Sequence, residues 1–315
     1  MLLDKGADYN KCDWSGQSPV MISCKHGHTE IVKMLLDRGA DCKKCDRLGQ
    51  SPIMKACKHG HTEIVKMLLD RGSDCNKCDE CGQSPVMMAC EHGHTEIVKM
   101  LLDRGADCNK CDRLGQSPVM KACEHGHTEI VKMLLDRGSD CNKCDWGQSP
   151  VMKACEHGHT EIVKMLLDRG ADCNKWHWSG KSPVMIACKH GHTEIVKMFL
   201  DRGVDCYKCD RLGQLPIIKA CEHGHTEIVK MLLDRGADCN KCDGRGQSPV
   251  MKACEHGHTE IVKMLLDRGA DCNKCDEWGQ SPVMKACEHG HAEIVKMLLD
   301  RGESVINVTG RVSHL

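Results

Sequence analysis

The apolar positions of this chain follow one template that returns along almost its whole length. Residues 112–144 show it: Val119, Ala122 and Cys123 share one face of a short segment, and a second segment, T-E-I-V-K-M-L-L-D-R, repeats apolar residues at helical spacing. Glycine and polar residues separate the two segments. The pattern predicts two short amphipathic helices in each unit, joined by tight turns.

The template has a fixed period, which the prolines reveal. Their spacing is 33 residues throughout, except for one step of 32 between Pro118 and Pro150. A half-unit at 1–12 precedes nine full units, and a divergent tail covers 309–315. The predicted units are 13–45, 46–78, 79–111, 112–144, 145–176, 177–209, 210–242, 243–275 and 276–308. A period of this length is the signature of a repeat protein.

Each unit carries its own start and stop signals. Asp112 and Gly115 bracket a turn, Ser117 is placed to cap the first helix, and Pro118 occupies its first position. Gly126 is expected to end that helix in the left-handed conformation. Helices of about ten residues are not stable alone in water, so stability is predicted to come from stacking one unit on the next.

The unit GQSPVMKACEHGHTEIVKMLLDRGADCNKCD resembles the ankyrin repeat in its period and its turn-helix-helix order, with S-P-V-M where that family has T-P-L-H. The resemblance implies an all-α solenoid of helix-turn-helix units with protruding β-turn or hairpin fingers. Met21, Met120 and Ile218 stand where the family has His, so we expect apolar packing there instead of the family's Thr–His hydrogen bonding.

Composition and charge narrow the choice of partners. Lys and Arg number 44 against 45 Asp and Glu, so nothing favours nucleic acid or an anionic membrane surface. The N-terminus MLLDKGADYN carries no signal-peptide pattern, and no apolar run reaches membrane-spanning length. We therefore expect a cytoplasmic or nuclear chain whose 26 cysteines are reduced.

The nine units differ from one another mainly in two places: the residue before the Ala of the first helix, and the tip of the finger turn. The resemblance implies that these positions line a concave groove and the fingers, the surfaces that the family uses to bind partners. All five tryptophans lie in the finger region, and Trp is enriched in interface hot spots. Trp146, Trp176 and Trp178 are predicted to form one apolar patch at the contact centre. The candidate partner-binding residues are Trp14, Trp146, Trp176, Trp178, Arg211, Trp278, Lys121, Lys153 and Ile186.

Several columns of repeated residues invite a different chemistry. Seven units carry C-x-x-C, which can bind zinc or perform thiol redox chemistry. One pair supplies only two ligands and the next pair is about 10 Å away, so a structural role is favoured and no metal is expected. The H-G-H turns are likewise interpreted as structural. Lys121/Glu124, Lys153/Glu156 and Lys252/Glu255 are spaced to form ion pairs along one helix, which disfavours phosphate binding.

The resemblance also suggests that asparaginyl hydroxylases modify the D-C-N segment. The candidate residues are Asn76, Asn109, Asn142, Asn174, Asn240 and Asn273.

These features predict a protein–protein interaction scaffold or adaptor. No catalytic constellation, cofactor site or small-molecule substrate site stands out from the repeat pattern, so an enzyme is not expected. Two alternatives remain open. In the first, the chain is a targeting segment of a larger enzyme or receptor, an interpretation suggested by its half-unit start and missing polar end caps. In the second, it is a metal- or redox-responsive stack that uses its C-x-x-C fingers.

Overall fold

The computed structural model describes residues 8–144 and 147–309, with side chains described as far as Arg301. The described residues form α-helices joined by turns, and the all-α prediction is confirmed. Each proline begins the first helix of a pair. These first helices are α1 Pro19–His26, α3 Pro52–His59, α5 Pro85–Glu91, α7 Pro118–Glu124, α9 Pro150–Glu156, α11 Pro183–His190, α13 Pro216–Glu222, α15 Pro249–Glu255 and α17 Pro282–Glu288.

The second helix of each pair begins three or four residues after the first helix ends. These helices are α2 Thr29–Asp37, α4 Thr62–Asp70, α6 Thr95–Asp103, α8 Thr128–Asp136, α10 Thr160–Asp168, α12 Thr193–Asp201, α14 Thr226–Asp234, α16 Thr259–Asp267 and α18 Ala292–Thr309. With seven to nine residues in every helix except α18, none is long enough to be stable alone.

In the repeat of α7 and α8, the predicted capping and turn residues lie where the helices begin and end. The Ser117 hydroxyl accepts a hydrogen bond from the Met120 amide at 3.4 Å, and Pro118 is the first helical residue. Gly126, with φ +76°, turns the chain between the two helices. The same signals recur along the chain, which explains the regular element order.

The last helix differs from the other second helices. They end at the Asp of L-L-D, whereas α18 continues through Gly302 to Thr309. In the repeat before it, the chain leaves the helix through a turn in which the Asn273 amide donates to the Asp271 carboxylate. The residues E-S-V-I-N-V after Gly302 lack this Asp-x-Asn sequence, which distinguishes the last repeat from the one before it.

The repeats group into two larger compact units, Met1–Ala171 and Asp172–Leu315. From here on, a repeat is one 33-residue copy and a unit is one of these two groups of repeats. Within each unit the first helices of neighbouring repeats pack side by side, and so do the second helices. The residues predicted to form the core of α8, namely Ile130, Val131, Leu134 and Leu135, are all buried. Their counterparts in neighbouring repeats are buried as well, so an aliphatic core runs through each unit.

Neighbouring repeats are also joined by polar contacts at the ends of the second helices. The Arg104 guanidinium bonds to the Asp70 carboxylate of the preceding repeat at 2.5 Å, and equivalent pairs recur in both units. Both partners are about half exposed, so each pair contributes little free energy. Burial of the apolar core therefore dominates the stacking.

Candidate partner-binding surface

The finger turns have a backbone that their own aspartate fixes. In the second repeat, Asp46 Oδ1 accepts hydrogen bonds from the amides of Leu48 at 3.0 Å and Gln50 at 2.9 Å. The Gly49 amide donates to the Asp46 carbonyl at 3.0 Å and closes the turn. The turn predicted from Asp and Gly is thus confirmed, and the side chains of Arg47 and Leu48 lie at its tip.

Each fingertip is also bonded to the next one. In the first unit, the Arg47 amide donates to the Ser15 carbonyl and the Glu80 amide to the Leu48 carbonyl, both at 3.0 Å. In the second unit the Gly244 amide donates to the Leu212 carbonyl at 2.8 Å. A Cβ added at Gly49 would lie 2.9 Å from the Glu80 amide nitrogen, so glycine permits this close approach. The described tips of each unit therefore form a pre-ordered edge.

Large apolar side chains project from this edge into solvent. Trp14 is 91% exposed, and Leu48 and Leu114 of the same unit are also exposed. In the second unit, Trp178 and Trp278 are exposed in the same way. We call the exposed tip residues the fingertip residues: Trp14, Leu48 and Leu114 in the first unit, and Trp178, Leu212 and Trp278 in the second.

The central tryptophans are only partly within the described residues. Trp146 lies outside them, so its place in the predicted apolar patch stays a prediction. Trp176 is more than one-third exposed, and the Lys208 ammonium lies 5.7 Å from the centroid of its ring. Trp178 packs against the His177 ring with centroids 5.1 Å apart and keeps most of its surface in solvent.

The lysines of the first helices are less accessible than expected. The sequence predicts that Lys121 and Lys153 pair with Glu124 and Glu156 of their own helices. Their ammonium groups lie 3.7 Å from Glu91 and 3.3 Å from Glu124, respectively, each a carboxylate of the preceding repeat, and Lys153 is buried. Stacking brings that carboxylate within reach, which helical spacing alone does not show.

The predicted pairing within one helix does hold in the second unit. Lys219 bonds to Glu222 at 2.8 Å and Lys252 to Glu255 at 2.9 Å. Burial acts to raise the pKa of Glu222, but the hydrogen bond and charge of Lys219 outweigh it and lower that pKa. Of the other predicted contact residues, Arg211 is exposed at a fingertip and Ile186 is half-buried.

Comparisons with known proteins identify the repeat. A family model described as ankyrin repeats in three copies matches overlapping segments that together span 1–309. The matched segments are 1–79, 38–112, 68–145, 86–177, 140–210, 173–243 and 217–309. The chain belongs to the ankyrin repeat family.

A solved ankyrin structure has the same fold. The crystal structure of the human ASB11 ankyrin repeat domain shares 24% sequence identity and a TM-score of 0.64 with this protein, covering 70% of this chain and 99% of that one. This likeness concerns the fold. No curated protein matches the chain. Ankyrin repeats are in general protein–protein interaction modules, and the fold is typically a non-catalytic scaffold.

The cysteines of this ankyrin stack have mainly packing roles. The first Cys of a C-x-x-C pair donates its thiol to a carbonyl of the next repeat, as Cys75 does to Arg104 at 3.6 Å. The second Cys bonds within its own finger, as Cys78 does to the Asn76 carbonyl. Burial raises the pKa of Cys75 and, to about 12, that of Cys24 in the first helix, so both thiols stay protonated at neutral pH.

Metal chemistry finds no geometric support in the described part of the chain. There, no group of three or more His, Cys, Asp or Glu side chains is placed to hold a metal ion. A stable zinc site needs four ligands in a tetrahedron. In the same residues, no helix is both long and apolar enough to span a bilayer.

The second His of most H-G-H turns bonds to the preceding repeat of its unit. His159 Nε2 lies 3.3 Å from the Glu124 carbonyl of the preceding repeat, and His127 Nε2 lies 3.3 Å from the Glu91 carbonyl. Equivalent contacts recur at His61, His94, His225, His258 and His291. The sequence predicted a structural role for these turns, and the hydrogen bond between repeats is that role.

The finger asparagines form a bridge that the sequence did not reveal. Asn76 donates its side-chain amide to the Gly105 carbonyl at 3.0 Å and accepts from the Asp107 amide at 2.8 Å. Asn109 and Asn240 bridge to the next repeat in the same way. The only sequence signal was the recurrence of Asn in D-C-N, which does not show where the amide points.

Proposed function

We propose that this chain is a protein-binding scaffold or adaptor that contacts its partner with the fingertip residues and, next to them, the exposed face of the first helices. Trp176 and Trp178 supply the contact centre in the second unit, with Arg211 on the next repeat and Trp278 two repeats beyond it. Trp14 supplies an anchor in the first unit. Lys121, Lys153 and Ile186 border this surface on the first helices. Here the two lysines release Glu91 and Glu124, their present carboxylate partners, and bind a carboxylate of the partner protein instead.

The observation that carries the proposal is the combination of exposed apolar side chains with a fixed backbone. The fingertip residues are solvent-exposed although the turns beneath them are hydrogen-bonded both internally and to the next finger. A monomeric protein gains nothing by exposing Trp at the fingertips of several of its repeats. Because the backbone is already ordered, a partner that covers these residues loses little conformational entropy on binding.

The side chains along the edge favour a partner protein whose surface is both apolar and charged. Apolar Trp and Leu tips alternate with charged residues of both signs, including Arg47, Glu80 and Arg211. A standard interface covers about 800 Å² per partner, which corresponds to several adjacent fingers. Within it, a few Trp and Arg side chains are expected to carry most of the binding free energy.

The test compares two full-length variants in partner capture. The first replaces Trp176, Trp178 and Trp278 with Ala. The control replaces the exposed lysines Lys197 and Lys230 of the second helices with Ala. We expect the tryptophan variant to keep its Tm and to lose capture of a partner that the wild type enriches. Each buried Trp contact accounts for about 2 kcal/mol, or about 30-fold in Kd.

The lysine control should retain the same partner. A tryptophan variant that still captures it, or one that loses it only because the Tm has collapsed, refutes the fingertip assignment. Quantitative mass spectrometry of the captured proteins, together with thermal unfolding followed by circular dichroism, makes the distinction.

A further inference from the structure

In two fingers of the described part of the chain, another residue stands where the bridging asparagine is found in their neighbours. Lys43 stands at this position in the repeat of α1 and α2, and Tyr207 in the repeat of α11 and α12. A cleft opens beside each of them. The first has a volume of about 320 Å³ and is lined by Cys42, Lys43, Ser51, Ile53, Ser73 and Lys77, together with Gly72 and Asp74.

The second cleft lies at the equivalent place in the other unit. It has a volume of about 260 Å³ and is lined by Cys206, Tyr207, Leu215, Ile217, Ala237 and Lys241, together with Gly236 and Asp238. Every lining residue of the second cleft lies 164 positions after its counterpart in the first, since 207 − 43 and 215 − 51 both equal 164. The molecule therefore contains two versions of one cleft, and they differ at three positions that matter here.

The first cleft is polar where the second is apolar. Ser51 and Ser73 are only 4% and 8% exposed, and neither hydroxyl has a hydrogen-bond partner among the described residues. Their counterparts in the second cleft are Leu215 and Ala237, which have no hydroxyl to satisfy. A buried hydroxyl without a partner costs about 1–3 kcal/mol, so two in one cleft need an explanation.

The two serines differ from most of their equivalents. Ser18 and Ser84 accept a hydrogen bond from the third amide of their helices, whereas Ser51 makes no such bond to α3, a property it shares with Ser149 at α9, which lines neither cleft. Ser139, the counterpart of Ser73, donates to the Cys108 carbonyl at 3.4 Å. Both hydroxyl oxygens of the first cleft are closed to solvent and unpartnered in the described part of the chain, so a molecule that occupies the cleft bonds to them by rotating the two side chains toward it.

The charges around the cleft define the chemistry of that molecule. Lys43 and Lys77 border it, and the Lys43 ammonium reaches over Gly72, 3.8 Å from where a Cβ would stand. Asp74 is the one carboxylate in the lining, and its Oδ1 already accepts from the Asn76 amide at 2.8 Å. The lining is therefore cationic by one charge and rich in donors, which suits an oxyanion.

We propose that the cleft between Lys43, Ser51, Ser73 and Lys77 binds a small organic molecule through a phosphate or carboxylate group. The two hydroxyls donate to its oxygens, and the two ammonium groups balance its charge. A volume of about 320 Å³ admits a metabolite-sized ligand and is too small for a folded partner. The site is independent of the fingertip residues, so it survives if the proposed function fails.

The experiment titrates the full-length chain by isothermal calorimetry with inorganic phosphate, glycerol 3-phosphate and acetate, with chloride at matched ionic strength as the blank. We expect saturable binding at one site for at least one of the three anions, and the comparison among them separates phosphate from carboxylate recognition. Absence of saturable heat for all three refutes the proposal.

Three variants locate the site. Ser51→Ala combined with Ser73→Ala removes both donors and should weaken binding at least about 10-fold, the effect of one charge-assisted hydrogen bond. Ser139→Ala, the matched control, should leave the affinity unchanged. Lys43→Asn restores the bridge found at Asn76 and should abolish binding while keeping or raising the Tm, which separates ligand loss from unfolding.

The second cleft allows a gain-of-function test. Tyr207→Lys, Leu215→Ser and Ala237→Ser together copy the polar lining into the second cleft, and the stoichiometry should rise from one to two. Unchanged binding in the double serine variant or in Lys43→Asn would contradict the assignment, and so would a stoichiometry that stays at one.

Discussion

A glycine and a histidine from neighbouring repeats fit against each other where one described H-G-H turn follows another within a unit. Gly126 has φ +76°, and a Cβ added to it would lie 2.5 Å from Cε1 of His159 in the next repeat. Glycine is thus needed here for two reasons, its backbone conformation and the space that the imidazole occupies. Gly138, at the end of α8, has φ +83° and nothing within 4 Å of such a Cβ.

These two glycines give a matched prediction at the residue scale. Gly138→Ala should cost about 1–2 kcal/mol of unfolding free energy, because only the left-handed conformation is penalised. Gly126→Ala should cost more, by about 1 kcal/mol or above, because the His159 ring must also move away from the Glu124 carbonyl. Urea denaturation of both variants measures the difference. Equal losses would show that the histidine contact contributes nothing.

Identical helices acquire different environments from their position in the stack. α7 and α17 both have the sequence PVMKACE, yet Met120 is 0% exposed and Met284 is 54% exposed. Cys123 is buried and Cys287 exposed for the same reason. α7 is packed between the first helices of two neighbouring repeats, α5 and α9, whereas α17 packs against α15 on one side. Burial at this position is therefore a property of the neighbours.

At the element scale, Met120→Ala should cost about 2–5 kcal/mol, because it leaves a cavity in a closed core. Met284→Ala, the same substitution in the same local sequence, should cost less than about 1 kcal/mol. Chemical denaturation of the two variants under one set of conditions tests this. A loss at Met284 as large as that at Met120 would mean that a further surface covers α17 in solution.

The histidine columns make the stability of the whole molecule sensitive to acid. Burial lowers the pKa of His59, His127, His223 and His258 in the folded protein. The folded state therefore favours the neutral imidazole, whereas the unfolded chain takes up the proton near pH 6.5. Stability from these groups is fully present above that pH and is lost as the pH falls through the lower folded pKa values.

We therefore predict that the Tm falls steadily between about pH 7 and pH 5, with the slope that linkage assigns to extra protons bound by the unfolded chain. Thermal unfolding at constant ionic strength measures it. Replacing His127 and His258 with Gln removes two of the titrating groups and should flatten the curve. A Tm that is constant over this range would show that the imidazoles do not titrate differently in the two states.

Most of the fold could be predicted from the sequence because the repeat displays its local rules nine times. Ser and Pro at the start of a helix, Gly after it and the apolar spacing within it act over a few residues, so Ser117, Pro118 and Leu134 were assigned correctly. The candidate contact residues were harder, because exposure depends on neighbours. Trp178 and Trp278 are exposed as expected, but Lys153 is buried against Glu124.

Sequence alone determined the helices, their order and the family, since each follows from short-range backbone preferences and an apolar period. Only the tertiary structure decided how polar side chains connect one repeat to the next. The Asn76 bridge, the Lys121–Glu91 pair and the open cleft beside Lys43 each join or separate residues about 30 positions apart. Such contacts depend on the distance between stacked helices, which no local pattern encodes.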